Sequence, residues 1–422
     1  MKKILAWLLV LALAVPMFGC GAKEPPATSP NAITSPTETT GATTPTDGVF
    51  VKSDYSGSDE DVAAHRDTVV ATLGGKELTN GVLQLYYWLA VNSFINEQGM
   101  YIYYYGLDPS KPLGQQPIGQ DGAQTWQHYF LSQAITNWHR YQALALCNEE
   151  ADIPMDPKMQ ADLDASWGTM EEAAKKNGFA TALDCLQAQM GKGCDKEDYL
   201  EYQEQFYQGF NYYEHMNSLI DITDDEIEAY FTEHQKELEE QGVTKETMNY
   251  GVRHILIAPE GGTKSEDGKT TTYSDAEWEA CRQAAQEILD QWKAGEATAE
   301  SFGALAKEKS TDPGSKDNGG LYDGLDKNTS FVQPFKDWYL DESRQVGDTG
   351  LVKSDYGYHV MYLDSAKLIW TDRVKEILEY NESAEFINAA LEKYELEVDY
   401  EKILIGEVDL AKMMGIAEDQ QS

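Results

Sequence analysis

Two short stretches constrain the fold more than anything else in the chain: VRHILI at residues 252–257 and YGYHVMYL at 356–363. Side chains alternate between faces along a strand. The first stretch therefore puts Val252, His254 and Leu256 on one face and Arg253, Ile255 and Ile257 on the other. The second puts His359, Met361 and Leu363 together, with Tyr358, Val360 and Tyr362 opposite. Each strand carries a histidine where the alternation calls for an apolar residue, and a polar ring there needs a partner. If the strands pair, each neutral ring can donate one N–H and accept one bond, which suits a His–His contact. One such histidine alone is more often a satisfied core residue; two, with what lies between them, favour a site.

The intervening sequence reads as helix, helix, loop, helix and hairpin. Ser274 and Glu277 form a capping box for a helix that ends at Gly295, with Trp278, Ala285 and Leu289 among its apolar positions. A second helix in ATAESFGALAKEKS carries Phe302, Leu305 and Ala306 on one face, TDPGSKDNGG is an elaborate loop, and a short helix covers QPFKDWYL. Strand, helices, loop and hairpin over 250–365 make a compact α+β domain in which the histidine strands are sheet neighbours.

The flanks differ in character. Residues 1–20 combine two lysines, an apolar run and a small residue before Cys20, the pattern of an export signal. MFGC resembles a lipoprotein box in which Cys20 becomes the lipidated N-terminus, so the folded part would sit on the extracytoplasmic face of a membrane; a plainly cleaved secretory signal is the alternative. Residues 21–67 are rich in Pro, Thr, Ser and Gly and are expected to form a disordered tether. Residues 68–249 read as a mainly helical region, with a strand and Gly-Gly turn before a helix starting near Thr79. Tyr199, Tyr202, Phe206, Phe210 and Tyr213 form a stripe that suits a core face better than a groove. Thr223 and Glu226 form a second capping box. Residues 366–422 are amphipathic helix, expected to pack back on the N-terminal helices.

With 72 acidic against 33 basic residues and a net charge of −39, the balance argues against nucleic acid or anionic lipid as a partner of the folded part. The five cysteines make no CxxC pair, which disfavours zinc and thioredoxin-like chemistry; a Cys185–Cys194 disulfide stays open. A metal bound by His254, His359 and Asp312 is disfavoured, because a histidine pair on core strands leaves little room for further ligands. No cofactor is implied.

VRHILI, FGALAKEKSTDPGSKDNGG and YGYHVMYL, in this order and spacing, resemble the parvulin family of peptidyl-prolyl cis-trans isomerases. The wider plan is similar to that of exported foldases of the PrsA and SurA group: a lipobox signal, then a helical chaperone-like region, an inserted isomerase domain and a closing C-terminal helix. The resemblance implies that His254 and His359 are the paired histidines of the active-site floor. Asp312 falls where the family carries cysteine or aspartate beside the target amide. Phe331 and Phe335 match the residues that hold the proline ring, and Ser354 matches a hydroxyl bonded to the histidine pair. Where the family reads Gly-Gly-Asp-Leu-Gly this chain reads GGLYDG, so either Leu321 or Tyr322 fills the apolar position after the loop.

The implied activity is isomerisation of X–Pro bonds in unfolded or partly folded exported proteins. It is not directed at phosphate, since Lys264 and Lys269 in the loop after the first histidine strand are offset by Glu260, Glu266 and Asp267. The alternative is a holdase whose parvulin fold binds peptide without turnover. A solute-binding lipoprotein would need two lobes of alternating strands and helices, which the helical region does not provide.

Overall fold

A computed structural model describes residues 50–118, 124–265, 270–414 and 416. Cys20, the export signal and the first part of the expected tether lie outside the described residues. The chain divides into two compact units: one runs to Asp221 and resumes at Glu379, and the other is Ile222–Leu378.

The first unit opens with β1 (Ser56–Gly57), α1 (Asp59–Ala64) and the hairpin β2 (Val69–Leu73) and β3 (Lys76–Thr79). It continues through α2 (Asn80–Gln98), β4 (Pro117–Ile118), β5 (Gln124–Thr125), α3 (Trp126–Glu150), α4 (Pro157–Asn177), α5 (Ala182–Met190) and α6 (Lys196–Ser218). Thr79, Thr125, Asp156, Thr181 and Asp195 each accept a bond from first-turn N–H groups and so fix where α2 to α6 begin. The stripe on α6 is core: Tyr199, Tyr202, Phe206 and Tyr213 are buried, and Phe210 packs beside them. Cys185 and Cys194 are buried free thiols, so the disulfide left open by the sequence is not formed.

The expected tether extends too far. From Phe50 onward the chain is folded: Tyr55 is fully buried, Ser58 caps α1, and Val62 is buried. The Pro/Thr-rich composition ends at Gly48, and Phe50, Tyr55 and Val62 supply the apolar anchors the preceding stretch lacks.

The second unit holds α7 (Asp224–Glu233), α8 (Gln235–Glu240), β6 (Met248–Ile257), β7 (Thr263–Lys264), β8 (Thr271–Thr272), α9 (Asp275–Ala294) and α10 (Ala299–Lys309). Then come β9 (Leu321–Leu325), α11 (Gln333–Tyr339), β10 (Thr349–Ser354), β11 (Gly357–Leu368) and the start of α12 (Trp370–Lys393). Its sheet has the order β10-β11-β6-β9 and is antiparallel throughout. The two faces divide as the alternation requires. Val252, Met361, Leu363 and Val352 pack with Phe335, Trp338 and Tyr339 of α11, while Ile255 and Val360 pack with Ala285, Leu289, Phe302 and Ala306 of α9 and α10.

The boundaries expected at 250 and 365 cut through β6 and β11. The unit also includes α7, α8 and the first turns of α12, whose Ile227, Phe231, Leu238, Trp370 and Val374 form a core of their own. The sequence places these residues in the flanking regions, because a helix reads the same whichever core it joins.

Past α12 the chain is not all helix. β12 (Leu396–Val398) pairs antiparallel with β2, β13 (Ile405–Gly406) pairs parallel with β1, and α13 (Leu410–Met413) follows. Ala390, Ile403, Ile405 and Leu410 lie in the same core as α2 and α3.

Candidate active site

Strand register brings the histidines together. His254 pairs across the ladder with Met361 and His359 with Leu256, so the two rings are diagonal neighbours on one face. Their Nδ1 atoms are 3.0 Å apart, and both residues are buried. The outer nitrogens are occupied too. His359 Nε2 lies 2.7 Å from Ser354 Oγ, and His254 Nε2 lies 3.0 Å from both Asp312 Oδ2 and Ser315 Oγ.

The loop after α10 presents the carboxylate. Thr311 N–H and Oγ–H both donate to the Leu256 carbonyl at 2.9 Å, and the fully buried Ser310 accepts from Leu256 N and Asp312 N. Asp312 is thereby pinned beside β6. Its Oδ2 accepts from His254 Nε2, Ser315 N, Ser315 Oγ and Tyr322 OH, at 3.0, 3.1, 2.5 and 3.0 Å. The bond from His254, with those from Ser315 and Tyr322, outweighs burial and holds this carboxyl well below the usual range.

For two neutral rings these partners leave one proton arrangement. An ionised Asp312 only accepts, so His254 Nε2 donates; His254 Nδ1 then accepts from His359 Nδ1–H, and His359 Nε2 accepts from Ser354 Oγ–H. Burial first, and the neighbouring His254 next, lower the pKa of His359 to about 4 despite Asp312, so its ring is neutral. The result is one directed chain from Ser354 through both rings to Asp312.

An aromatic wall stands over this floor. Phe335 meets His254 and His359 edge-on at centroid distances of 5.3 and 5.6 Å, and Phe331 stacks on Phe335 at 4.9 Å. Tyr322 packs edge-on against Phe331 at 4.8 Å and lies 5.5 Å from the His254 ring. Tyr322 pairs with Val252 on the site face, whereas Leu321 pairs with Arg253 and takes the opposite face. Of the two residues offered for the position after the loop, Leu321 is therefore displaced from the site and Tyr322 stands in it. The other expected residues, His254, Asp312, Phe331, Phe335, Ser354 and His359, come together in one cluster.

Sequence reasoning missed Ser310 and Ser315, both almost fully buried, and the hydroxyl of Tyr322 as a donor to Asp312. The Asp-x-x-Ser spacing of TDPGS was the available signal, since a loop carboxylate often bonds a backbone N–H two or three residues on.

The sheet, its flanking helices and a histidine pair beneath three aromatic rings form the site of the second unit. Residues 238–367, which lie within the second unit, match the family described as the PPIC-type PPIASE domain. Over 105 residues the chain is 35% identical to the putative peptidyl-prolyl cis-trans isomerase Cbf2 of Campylobacter jejuni, covering 24% of this chain and 38% of that protein. It is 36% identical over 114 residues to foldase protein PrsA 4 of Bacillus cereus, covering 27% and 35%. It is 37% identical over 110 residues to chaperone SurA of Pseudomonas putida, covering 26% and 21%. The chain thus spans well under half the length of these relatives. Among solved structures, a SurA-like chaperone of Campylobacter jejuni aligns at 20% identity over 76% of this chain and 94% of its own, with a TM-score of 0.24. PrsA from Bacillus anthracis aligns at 17% identity over 60% and 92%, with a TM-score of 0.22.

Proposed function

We propose that this chain is an extracytoplasmic folding factor that accelerates cis-trans isomerisation of X–Pro bonds in exported proteins. The observation that carries the reading is the buried His254–His359 pair, closed by Asp312 and Ser354, beneath Tyr322, Phe331 and Phe335. Rotation about an X–Pro bond gives up amide resonance, a barrier of roughly 18–20 kcal/mol. No nucleophile is needed. The aromatic rings clamp the proline ring while the preceding carbonyl swings, and a dry pocket disfavours the polar planar amide relative to the twisted one. The histidines hold geometry and proton positions, and the Asp312 carboxylate sets the field beside the turning amide.

The full chain is expected to speed isomerisation of a short unphosphorylated X–Pro peptide in a protease-coupled assay. Folded protein that leaves the spontaneous rate unchanged would overturn the reading. A holdase is the second reading, favoured by the 3₁₀ segment Gly99–Tyr105 of the first unit, where Tyr101, Tyr103, Tyr104 and Tyr105 are 68%, 49%, 86% and 52% exposed. It predicts suppression of client aggregation without turnover.

The lysine-led apolar run before Cys20 supports export and lipid anchoring. Cys20→Ala should release the protein from the membrane fraction; retention with the signal removed would count against the anchor.

A further inference from the structure

We propose that Arg253, on the face of the sheet opposite the histidines, is a positioning residue that sets Ser315 and Asp312 for isomerisation; the proposal rests on the isomerase reading. Arg253 Nε donates to Asp364 Oδ1 at 2.7 Å, and Nη1 donates to the Gly319 carbonyl at 3.3 Å. The guanidinium sits where two glycines leave room. A Cβ on Gly319 would lie 3.2 Å from Nη1, and one on Gly303 of α10 would lie 3.4 Å from it.

The Gly319 carbonyl belongs to the same peptide unit as the Gly320 N–H, and that N–H donates to the Ser315 carbonyl at 2.8 Å. Arg253 and Ser315 therefore hold opposite ends of one peptide plane. The next carbonyl, Gly320, accepts from His254 N at 2.9 Å, and a Cβ on Gly320 would strike the His254 oxygen at 2.3 Å. This plane can rotate only if Arg253 lets go of it. Rotation would draw the Ser315 backbone away, and Ser315 supplies two of the bonds to Asp312 Oδ2 and one contact to His254 Nε2. An atom-by-atom path thus runs from Asp364 through Arg253, the Gly319–Gly320 peptide and Ser315 to the carboxylate and the histidine. A planar fork is what the path requires, because one side chain must bond a carboxylate and a carbonyl in different directions.

The test is Arg253→Gln and Arg253→Lys in the full chain, read by peptide turnover and by ¹⁵N spectra of the imidazoles. In R253Q, kcat should fall roughly ten- to hundredfold, the scale of a small misplacement of reacting groups. KM should hold, because Phe331 and Phe335 are untouched. The His254 ring signals should move, and the acid limb of kcat should shift to higher pH as Asp312 loses donors. R253K keeps the charge but not the fork and should fall between. A folded R253Q with unchanged kcat overturns the proposal, as does a loss that follows the unfolded fraction with His254 signals unmoved. If R253Q does not fold, R253K and Asp364→Asn carry the same readouts. Should the wild type be inactive on peptides, the isomerase reading fails, and the imidazole spectra alone decide whether Arg253 positions the site.

Discussion

His359 is neutral at physiological pH because burial and the adjacent His254 bring its pKa to about 4, against an ordinary value of about 6.5. Between these values the unfolded chain binds more protons than the folded one, so stability rises with pH across the window. The contribution is complete above about pH 6.5 and is lost as pH falls toward 4, a total of about 3 kcal/mol. Asp312 acts in a separate window: its folded pKa is depressed, so its contribution is present above the unfolded value of about 3.9 and lost below it. His359→Asn should therefore flatten the stability–pH curve between about 6.5 and 4 while leaving the steeper acid loss in place. Denaturant unfolding of wild type and variant across that range checks this, and the difference between them cancels other buried carboxyls such as Asp198, whose pKa is raised to about 6. The histidines were legible because a polar residue breaks an apolar alternation. Ser315 was not read, because its one signal, the Asp-x-x-Ser spacing, marks a local turn and does not say that the turn is buried against a histidine.

The elements were readable wherever periodicity had room to show. The capping boxes of Thr223 with Glu226 and Ser274 with Glu277 form as expected and set the starts of α7 and α9. β1, β12 and β13 escaped notice because two or three residues carry no period, and their pairing partners lie hundreds of positions away. The short helix α11 shows what an element adds beyond its residues. Pro334 sits in its first turn, and Phe331 and Phe335, four positions apart, stack as one surface. Their burial differs: Phe335 is core, packed with Val252 and Met361, whereas Phe331 is half-buried at its edge. Both were expected to act as a proline clamp, but only one can be removed without damage to the fold. Phe335→Ala should cost about 3–5 kcal/mol of stability, as for other buried phenylalanines. Phe331→Ala should leave the melting transition nearly unchanged and raise KM for an X–Pro peptide. Equal thermal shifts in the two variants would contradict this division.

At the scale of the molecule the question is where the second unit ends. The sequence motifs run from VRHILI to YGYHVMYL and suggest a domain at 250–365, because motifs mark chemistry and not the material that supports it. The ladder between β6 and β11 extends further, pairing Asn249 with Lys367 and Met248 with Leu368, and Ile369 N–H donates to the Thr247 carbonyl at 3.0 Å. Just beyond, Phe231 of α7 meets Trp370 of α12 edge-on at 5.0 Å, and Lys245 lies over the Trp370 ring at 4.9 Å. A fragment of 250–365 loses the end of its longest ladder and the whole α7–α8–α12 core. The Ile222–Leu378 fragment keeps both, and its internal packing is that of a separate unit. It should therefore unfold in one cooperative transition and retain the peptide activity of the full chain. The 250–365 fragment should melt at a distinctly lower temperature or fail to fold, since exposing the apolar faces of several large side chains costs about 1.5–3 kcal/mol for each. Circular dichroism melts of the two fragments decide the matter. Equal transitions would mean that α7, α8 and the start of α12 contribute nothing to the second unit, and that the motif boundaries alone define it.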